Sequence, residues 1–195
     1  MTPQTPPVAA VLLAAGGGTR FGGEFEHKLL AELGGVTVFE RSLNTLLDAS
    51  LADEIGFVGV VWGALDLRDY LPGSVTPIHN PEWITGQASS LQRAVQWARQ
   101  LGASALCVGL ADMCGVLPSA WRAVAGTDAP IAVAQYGERR SPPVRLAAEV
   151  WPLLPRTGDT GASELIRSRP DLVTYVRVDG DPTDIDTEED AQRWS

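Results

Sequence analysis

Of the fifteen Lys and Arg residues in this chain, only Lys28 is a lysine. Plentiful Ala, Pro, Gly and Trp fit a coding bias that favours Arg over Lys. A lysine kept against that bias points to a place where a compact ammonium is needed and a longer, planar guanidinium does not serve. Upstream of it runs Ala14-Ala15-Gly16-Gly17-Gly18-Thr19-Arg20. Three consecutive glycines let the backbone approach a ligand closely and turn successive N–H groups into one concavity, a nest for an anion. Arg20 and Lys28 add two charges to that nest, which suits a triphosphate.

Two familiar phosphate motifs fail on individual residues. A dinucleotide fingerprint starting at Gly16 needs glycine at position 21, where Phe21 stands. A P-loop starting at Gly17 reaches Gly22 but then meets Gly23 and Glu24 instead of Lys and Ser/Thr. The structural alternative for the glycine run is a plain flexible turn.

Carboxylates supply the other half of the chemistry. Transfer at a phosphate spreads negative charge over the equatorial oxygens and the leaving group, so catalysis is mainly positioning and charge neutralisation. Mg²⁺ serves this with one or two protein carboxylates, keeping waters and phosphate oxygens in its other positions. Asp112 follows an apolar run and can supply one carboxylate; Asp186 can supply a second. A capping role for Asp112 fits poorly, since Pro118 is six residues further on. The run 183–190 also reads as an acidic start to a last helix, a role that suits Glu188 and Glu189 better than Asp186.

Other chemistries find little footing. Cys107 lies in an apolar run and reads as core, and Cys114 follows Asp112. Two cysteines without a histidine partner make a poor zinc site. His27 beside Lys28 reads as shaping the loop, and His79 as a structural residue at a strand end. No Ser-His-Asp set emerges, which argues against a hydrolase. The net charge of −9 opposes a phosphate-tracking nucleic-acid surface.

Elements that would position these groups follow from periodicity. Continuous apolar runs predict strands at 8–14, 55–61, 76–79, 105–110, 130–136 and 172–178. Helical spacing predicts helices at 38–47 (Thr37 as N-cap), 89–101, 118–124 and 187–194, with shorter ones at 65–71, 147–154 and 162–168. This alternation implies one three-layer α/β domain over 8–195, Rossmann-like, with a mostly parallel sheet and helices on both faces. Residues 1–7 read as a disordered tail rather than a secretion signal, and no 18-residue apolar stretch exists to span a membrane, so the expected location is the cytoplasm. In such sheets ligands bind beyond the carboxyl ends of the strands, which singles out 16–20, Asn80, Asp112 and 184–186.

The segment LLAAGGGTRFGG…HK resembles the nucleotide-binding signature of the molybdenum-cofactor nucleotidyltransferases and their sugar-phosphate nucleotidyltransferase relatives. Further matches follow in order: Asn80-Pro-Glu-Trp83, Gly86-Gln-Ala-Ser-Ser-Leu91, Gly109-Leu-Ala-Asp112-Met113, Gly158-Asp-Thr-Gly-Ala162 and Asp184-Ile-Asp-Thr-Glu-Glu-Asp190. The set spans 8–190 and is most similar to the molybdopterin cytidylyltransferase branch. That resemblance implies a fold of the nucleotide-diphospho-sugar transferase type. It also implies transfer of CMP from CTP to molybdopterin with release of pyrophosphate, Mg²⁺ as cofactor, and an apo-molybdoenzyme as recipient of the product.

Carried over by residue, Gly16, Gly18, Arg20 and Lys28 form the triphosphate cradle, and Ala14, Ala15, Gly17 and Thr19 also bind the nucleotide. Gly86, Ser89 and Ser90 fall where base and ribose are held. Asp112 and Asp186 fall at the metal, and Asp159 on the acceptor side. Arg20, Lys28 and Asp112 are the catalytic set. Ala15 stands where the guanylyltransferase branch has glycine, which favours CTP over GTP. Three departures stand out: Cys114 replaces a proline after Asp-Met, the step from Arg20 to Lys28 is longer than usual, and Ser141-Pro142-Pro143 replaces a Gly-X-Pro element. They leave two alternatives, an NTP transferase acting on a sugar or polyol phosphate, and a non-catalytic protein that hands a finished cofactor onward.

Overall fold

The computed structural model describes residues 7–18, 27–185 and 190. Seven strands form one sheet. In chain order the strands are β1 (Val8–Ala14), β2 (Glu32–Leu33), β3 (Val36–Thr37), β4 (Ile55–Trp62), β5 (Val75–His79), β6 (Ala105–Leu110), β7 (Ile131–Tyr136), β8 (Arg139–Ala147) and β9 (Val173–Arg177). The sheet order is β5-β4-β1-β6-β8-β7-β9, with β2 and β3 forming a separate small hairpin. β5, β4, β1 and β6 run parallel, so their carboxyl ends emerge along one edge. β8 is antiparallel to both β6 and β7.

The apolar run of β1 follows from its place in the middle. Ala10, Leu12 and Ala14 pack in one hydrophobic cluster and Ala9 and Val11 in another, on opposite faces of the sheet. The first cluster is covered by α1 (Val38–Ala49) and α3 (Pro118–Ala125), the second by α2 (Gln87–Gln100) and α4 (Ser163–Ser168). Thr37 caps α1 as predicted. Its hydroxyl accepts from the Glu40 N–H at 3.1 Å while Glu40 Oε2 accepts from the Thr37 N–H at 3.0 Å, a reciprocal capping box.

Several expectations need correction. β8 was not predicted, because Pro142-Pro143 reads as a break. The β7 register jumps from Val133↔Val144 to Ala134↔Ser141, so the two prolines sit in a bulge where no ladder N–H is required. The helix expected at 65–71 shrinks to a 3₁₀ turn at Arg68–Tyr70, and that at 147–154 is a 3₁₀ segment, Ala148–Leu153. α2 begins at Gln87, two residues earlier than its apolar stripe suggests. The helix expected at 187–194 and the tail at 1–6 lie outside the described residues. Among the described residues, no helix is long and apolar enough to cross a membrane.

Candidate active site

The carboxyl end of β1 runs directly into Gly16-Gly17-Gly18, the base of a cleft of about 410 Å³. Gly18 has φ +59, and a Cβ there would lie 3.1 Å from the His27 ring, so this position needs glycine on both counts. His27 is 94% buried, with both ring nitrogens engaged. Nδ1 accepts from the Leu29 N–H at 3.3 Å, and Nε2 lies 2.8 Å from the Gly16 carbonyl oxygen. A carbonyl can only accept, so the network assigns the proton to Nε2. One imidazole thereby ties the start of the glycine loop to the 3₁₀ turn Lys28–Leu30 that carries Lys28. Sequence reading gave His27 only a general role in the loop; its pairing with Gly16 needed the fold.

Lys28 and Asp112 meet in this cleft. Lys28 Nζ donates to Asp112 Oδ2 at 2.6 Å, and both side chains are largely but not fully shielded. Asp112 stands two residues past β6, anchored by its neighbours on both sides. The Ala111 N–H donates to the Leu13 carbonyl at 3.1 Å, and the Ile185 N–H donates to the Asp112 carbonyl at 3.0 Å. A bridge between Val116 and Gly180 and the bond from Asp181 N–H to Gly115 O hold the returning chain alongside. Ile185, fully buried, is thus fixed against Asp112. Asp186 follows it but lies outside the described residues, as do Thr19 and Arg20.

Asp112 Oδ1 is buried and has no hydrogen-bond partner among the described residues. An orphaned carboxylate oxygen is costly unless something positive completes it. Asp112 and Asp159 are the carboxylates lining the cleft among the described residues, and no cluster of three or more His, Cys, Asp and Glu forms there. Such a sparse oxygen set fits a hard divalent cation that keeps most of its ligands as water and phosphate. It does not fit a closed zinc site. Cys114 is buried, and its thiol is pushed up to about 11 by that burial, so it stays protonated.

The opposite wall is built on Asn80. This residue has no exposed surface; its Nδ2 donates to Ser89 Oγ and Ser90 Oγ, both at 2.9 Å, and its Oδ1 accepts from the Glu82 N–H at 3.0 Å. The network seats the N-terminus of α2 against the segment after β5. Gly86 opens α2 with φ +109, and a Cβ there would lie 2.5 Å from Asp159 Oδ1 and 2.6 Å from the Gly158 carbonyl. The Ala88 N–H donates to that same carbonyl at 2.9 Å, which brings the 158–161 loop, and Asp159 with it, onto the cleft.

The structure therefore gathers Ala14, Ala15, Gly16, Gly17, Gly18, Lys28, Gly86, Ser90, Asp112 and Asp159 around one cavity. Ser89 is different. It does not line the cavity; its hydroxyl lies 2.8 Å from Gly86 O and 3.1 Å from Glu82 O besides accepting from Asn80, and its N–H donates to Gly86 O at 3.1 Å. The resemblance places Ser89 with the base and ribose; here its hydroxyl and amide are engaged within the start of α2, which begins earlier than predicted. Trp83 and Gln87, quoted within the motifs but given no role, line the cleft, as does Ile84, which the sequence did not single out and which is 79% exposed at the rim. An isolated Ile in a polar turn carries no periodic signal in the sequence.

Comparison with known proteins agrees with this geometry. A protein from Mycobacterium sp. strain JC1, described as a homolog of Mycobacterium tuberculosis Rv0371c, superposes with a TM-score of 0.77 at 28% identity, over 95% of this chain and 93% of that one. Rv0371c itself, solved as a complex with manganese, gives a TM-score of 0.76 at 25% identity over 96% and 97% of the two chains. A nucleotidyl transferase from Methanothermobacter shares the fold, with a TM-score of 0.79 at 23% identity over 96% and 95%. Among curated proteins, none matches this chain by sequence. Residues 10–173 match the MobA-like NTP transferase domain, and the chain is a nucleotidyltransferase belonging to that family.

Proposed function

We propose that the enzyme transfers CMP from CTP to molybdopterin. In this reading an oxygen of the acceptor's terminal phosphate attacks the α-phosphorus of CTP. The new P–O bond forms as the bond to the β-phosphate oxygen breaks, and pyrophosphate leaves with the displaced charge. The observation that carries the reading is the pairing of Lys28 with Asp112 at the mouth of the glycine loop, with Asp112 Oδ1 left unpartnered among the described residues.

Each residue has a part derived from its position. The backbone of Gly16–Gly18 receives phosphate oxygens, as N–H groups in a tight glycine turn do. Lys28 places an ammonium where charge accumulates on the departing pyrophosphate. Asp112, and Asp186 beyond the buried Ile185, would hold Mg²⁺. When bound, that cation neutralises phosphate charge and orients the α-phosphate. Manganese in the structure of Rv0371c supports a divalent metal here. Gly86 and Ser90, with the Trp83–Ile84 lip, receive the base and ribose, and Asp159 faces the acceptor.

Ala15 supports cytosine over guanine. It is 4% exposed and forms part of the cleft wall while its side chain also packs in the core, so the backbone there is fixed and the wall cannot recede for a larger base. Shape alone discriminates by only ~1–3 kcal/mol, so a preference for CTP of roughly 10- to 100-fold is expected. The test is pyrophosphate release measured side by side with CTP and GTP, against molybdopterin and a polyol phosphate. Higher kcat/KM with CTP and molybdopterin supports the assignment. Equal values, a preference for GTP, or turnover only with the polyol phosphate would replace it.

A further inference from the structure

The seven-stranded sheet ends in two edge strands, β5 and β9, and they are finished differently. An edge strand leaves a row of N–H and C=O groups unpaired, which is a template for another chain. On β5 the Asn80 N–H donates to the Trp62 carbonyl at 2.8 Å, so alternation turns the backbone groups of Ile78 toward β4 and those of Val75, Pro77 and His79 outward. Pro77 has no N–H to offer there, and the Val75 N–H already donates to the Pro72 carbonyl at 2.9 Å. On β9 the Val178 N–H donates to the Gln135 carbonyl at 3.1 Å, which turns Thr174 and Val176 toward β7 and Val173, Tyr175 and Arg177 outward. This ladder has no bulge and β9 contains no proline. The Val173 N–H is used by the Pro170 carbonyl in the preceding turn. The Val173 carbonyl and the backbone groups of Tyr175 and Arg177 remain unpaired among the described residues.

The charges along this edge reverse sign about its midpoint. Arg169 and Asp179 lie five residues either side of Thr174, and Asp171 and Arg177 lie three either side. All four are exposed. An antiparallel copy of the segment, centred on Thr174, therefore sets an arginine against an aspartate at every charged position. Between them Leu172 meets Val176 and Val173 meets Tyr175, β-branched and aromatic pairs of the kind that stabilise antiparallel neighbours. Moving the centre to Tyr175 would set Asp171 against Asp179, so the charges also fix the register. Arg169 and Asp171 pair at 2.7 Å within the chain, but an exposed pair contributes little and the carboxylate can accept a second cation. Arg177 has no carboxylate partner among the described residues. A pattern complementary to its own reverse selects a second copy of this chain over an unrelated strand.

We infer that β9 pairs edge to edge with β9 of a second copy, antiparallel and centred on Thr174, giving a two-fold dimer with one continuous sheet. The Tyr175 N–H of each copy donates to the Val173 carbonyl of the other, and Arg177 of each meets Asp171 of the other. A five-residue edge is a small interface, so association is expected at roughly micromolar concentrations. In the sheet order β6, β8 and β7 stand between β1 and β9, which keeps the pairing edge away from the glycine loop.

Sedimentation velocity of the full chain, from low to high micromolar concentration, tests this, with melting followed by circular dichroism to show that each variant is folded. The wild type should move from monomer to dimer over that range. Arg177→Asp sets aspartate against Asp171 on both sides of the two-fold axis and should raise the dimer Kd by roughly ten-fold or more. Thr174→Arg, at an exposed position, brings two guanidinium groups together on the axis and should do the same. The charge swap Asp171→Arg with Arg177→Asp restores every opposite pair and should return the Kd to within a few-fold of the wild type. A wild type that stays monomeric at high micromolar concentration overturns the inference. So does a dimer that both Arg177→Asp and Thr174→Arg leave unchanged, or a folded charge-swap variant no more dimeric than Arg177→Asp alone.

Discussion

Lys28 Nζ and Asp112 Oδ2 lie 2.6 Å apart although 84 residues separate them in the chain. The 3₁₀ turn Lys28–Leu30 delivers the ammonium, and the segment just past β6, the parallel neighbour of β1, delivers the carboxylate. In the proposed reaction each of the two charges turns to a new partner, Lys28 to phosphate oxygens and Asp112 to the divalent cation.

Lys28→Ala and Arg20→Ala should each lower turnover by roughly 100- to 1,000-fold with little change in melting temperature, as for charges aimed at a transition state. Lys28→Arg should also be clearly impaired, since the fork-shaped guanidinium is longer and cannot occupy the ammonium's place beside Asp112. Steady-state pyrophosphate release checks this. Wild-type rates in Lys28→Arg would mean that the lone lysine carries no chemical requirement.

Asp112→Asn should abolish most metal-dependent activity, on the order of 100-fold or more, because a metal's charge stabilisation amounts to several kcal/mol and each 1.4 kcal/mol is about ten-fold. Asp186→Asn should lose less, since an amide oxygen can still ligate. A Mg²⁺ titration of activity distinguishes the two, as the asparagine variants should need more metal. An unchanged metal requirement in Asp112→Asn would remove Asp112 from the metal site.

His27 should act by position alone. His27→Gln places a side-chain N–H close to where Nε2 meets Gly16 O and should retain most of the affinity for CTP, whereas His27→Ala should raise KM for CTP by roughly ten-fold, the worth of one well-placed hydrogen bond. If Gln and Ala behave alike in KM, the bond to Gly16 does not hold the loop.

Asn80 and Ser89 should govern stability more than nucleotide affinity. Asn80→Ala leaves a buried N–H and two hydroxyls without their partner and should cost about 1–3 kcal/mol in urea unfolding. Ser89→Ala should destabilise modestly and leave KM for CTP unchanged, while Ser90→Ala, on the cleft, should raise it. The reverse pattern would return Ser89 to the nucleotide.

Legibility of the fold and site divided along physical lines. Buried parallel strands announce themselves as unbroken apolar runs, which is why residues 8–14 and 105–110 were placed to the residue. β8 has a mixed sequence, with exposed arginines at one end and a bulge holding two prolines, so its strand character exists only through the partners β6 and β7. That Gly16–Gly18, Lys28 and Asp112 share one cleft was foreseeable from residue type and strand-end position. The start of α2 was expected two residues late because that boundary is set by Gly86 and the Asn80 network, long-range contacts invisible to periodicity.

A nucleotidyltransferase cleft breaks the bond between the α- and β-phosphates of its bound nucleotide. To follow that bond, the enzyme is incubated with Mg²⁺, molybdopterin and CTP radiolabelled at either the α- or the γ-phosphate, and each label is traced. The α-label should enter the molybdopterin product while the γ-label appears only in pyrophosphate, and both transfers should vanish together in Lys28→Ala. A γ-label in the product, or release of inorganic phosphate in place of pyrophosphate, would contradict it.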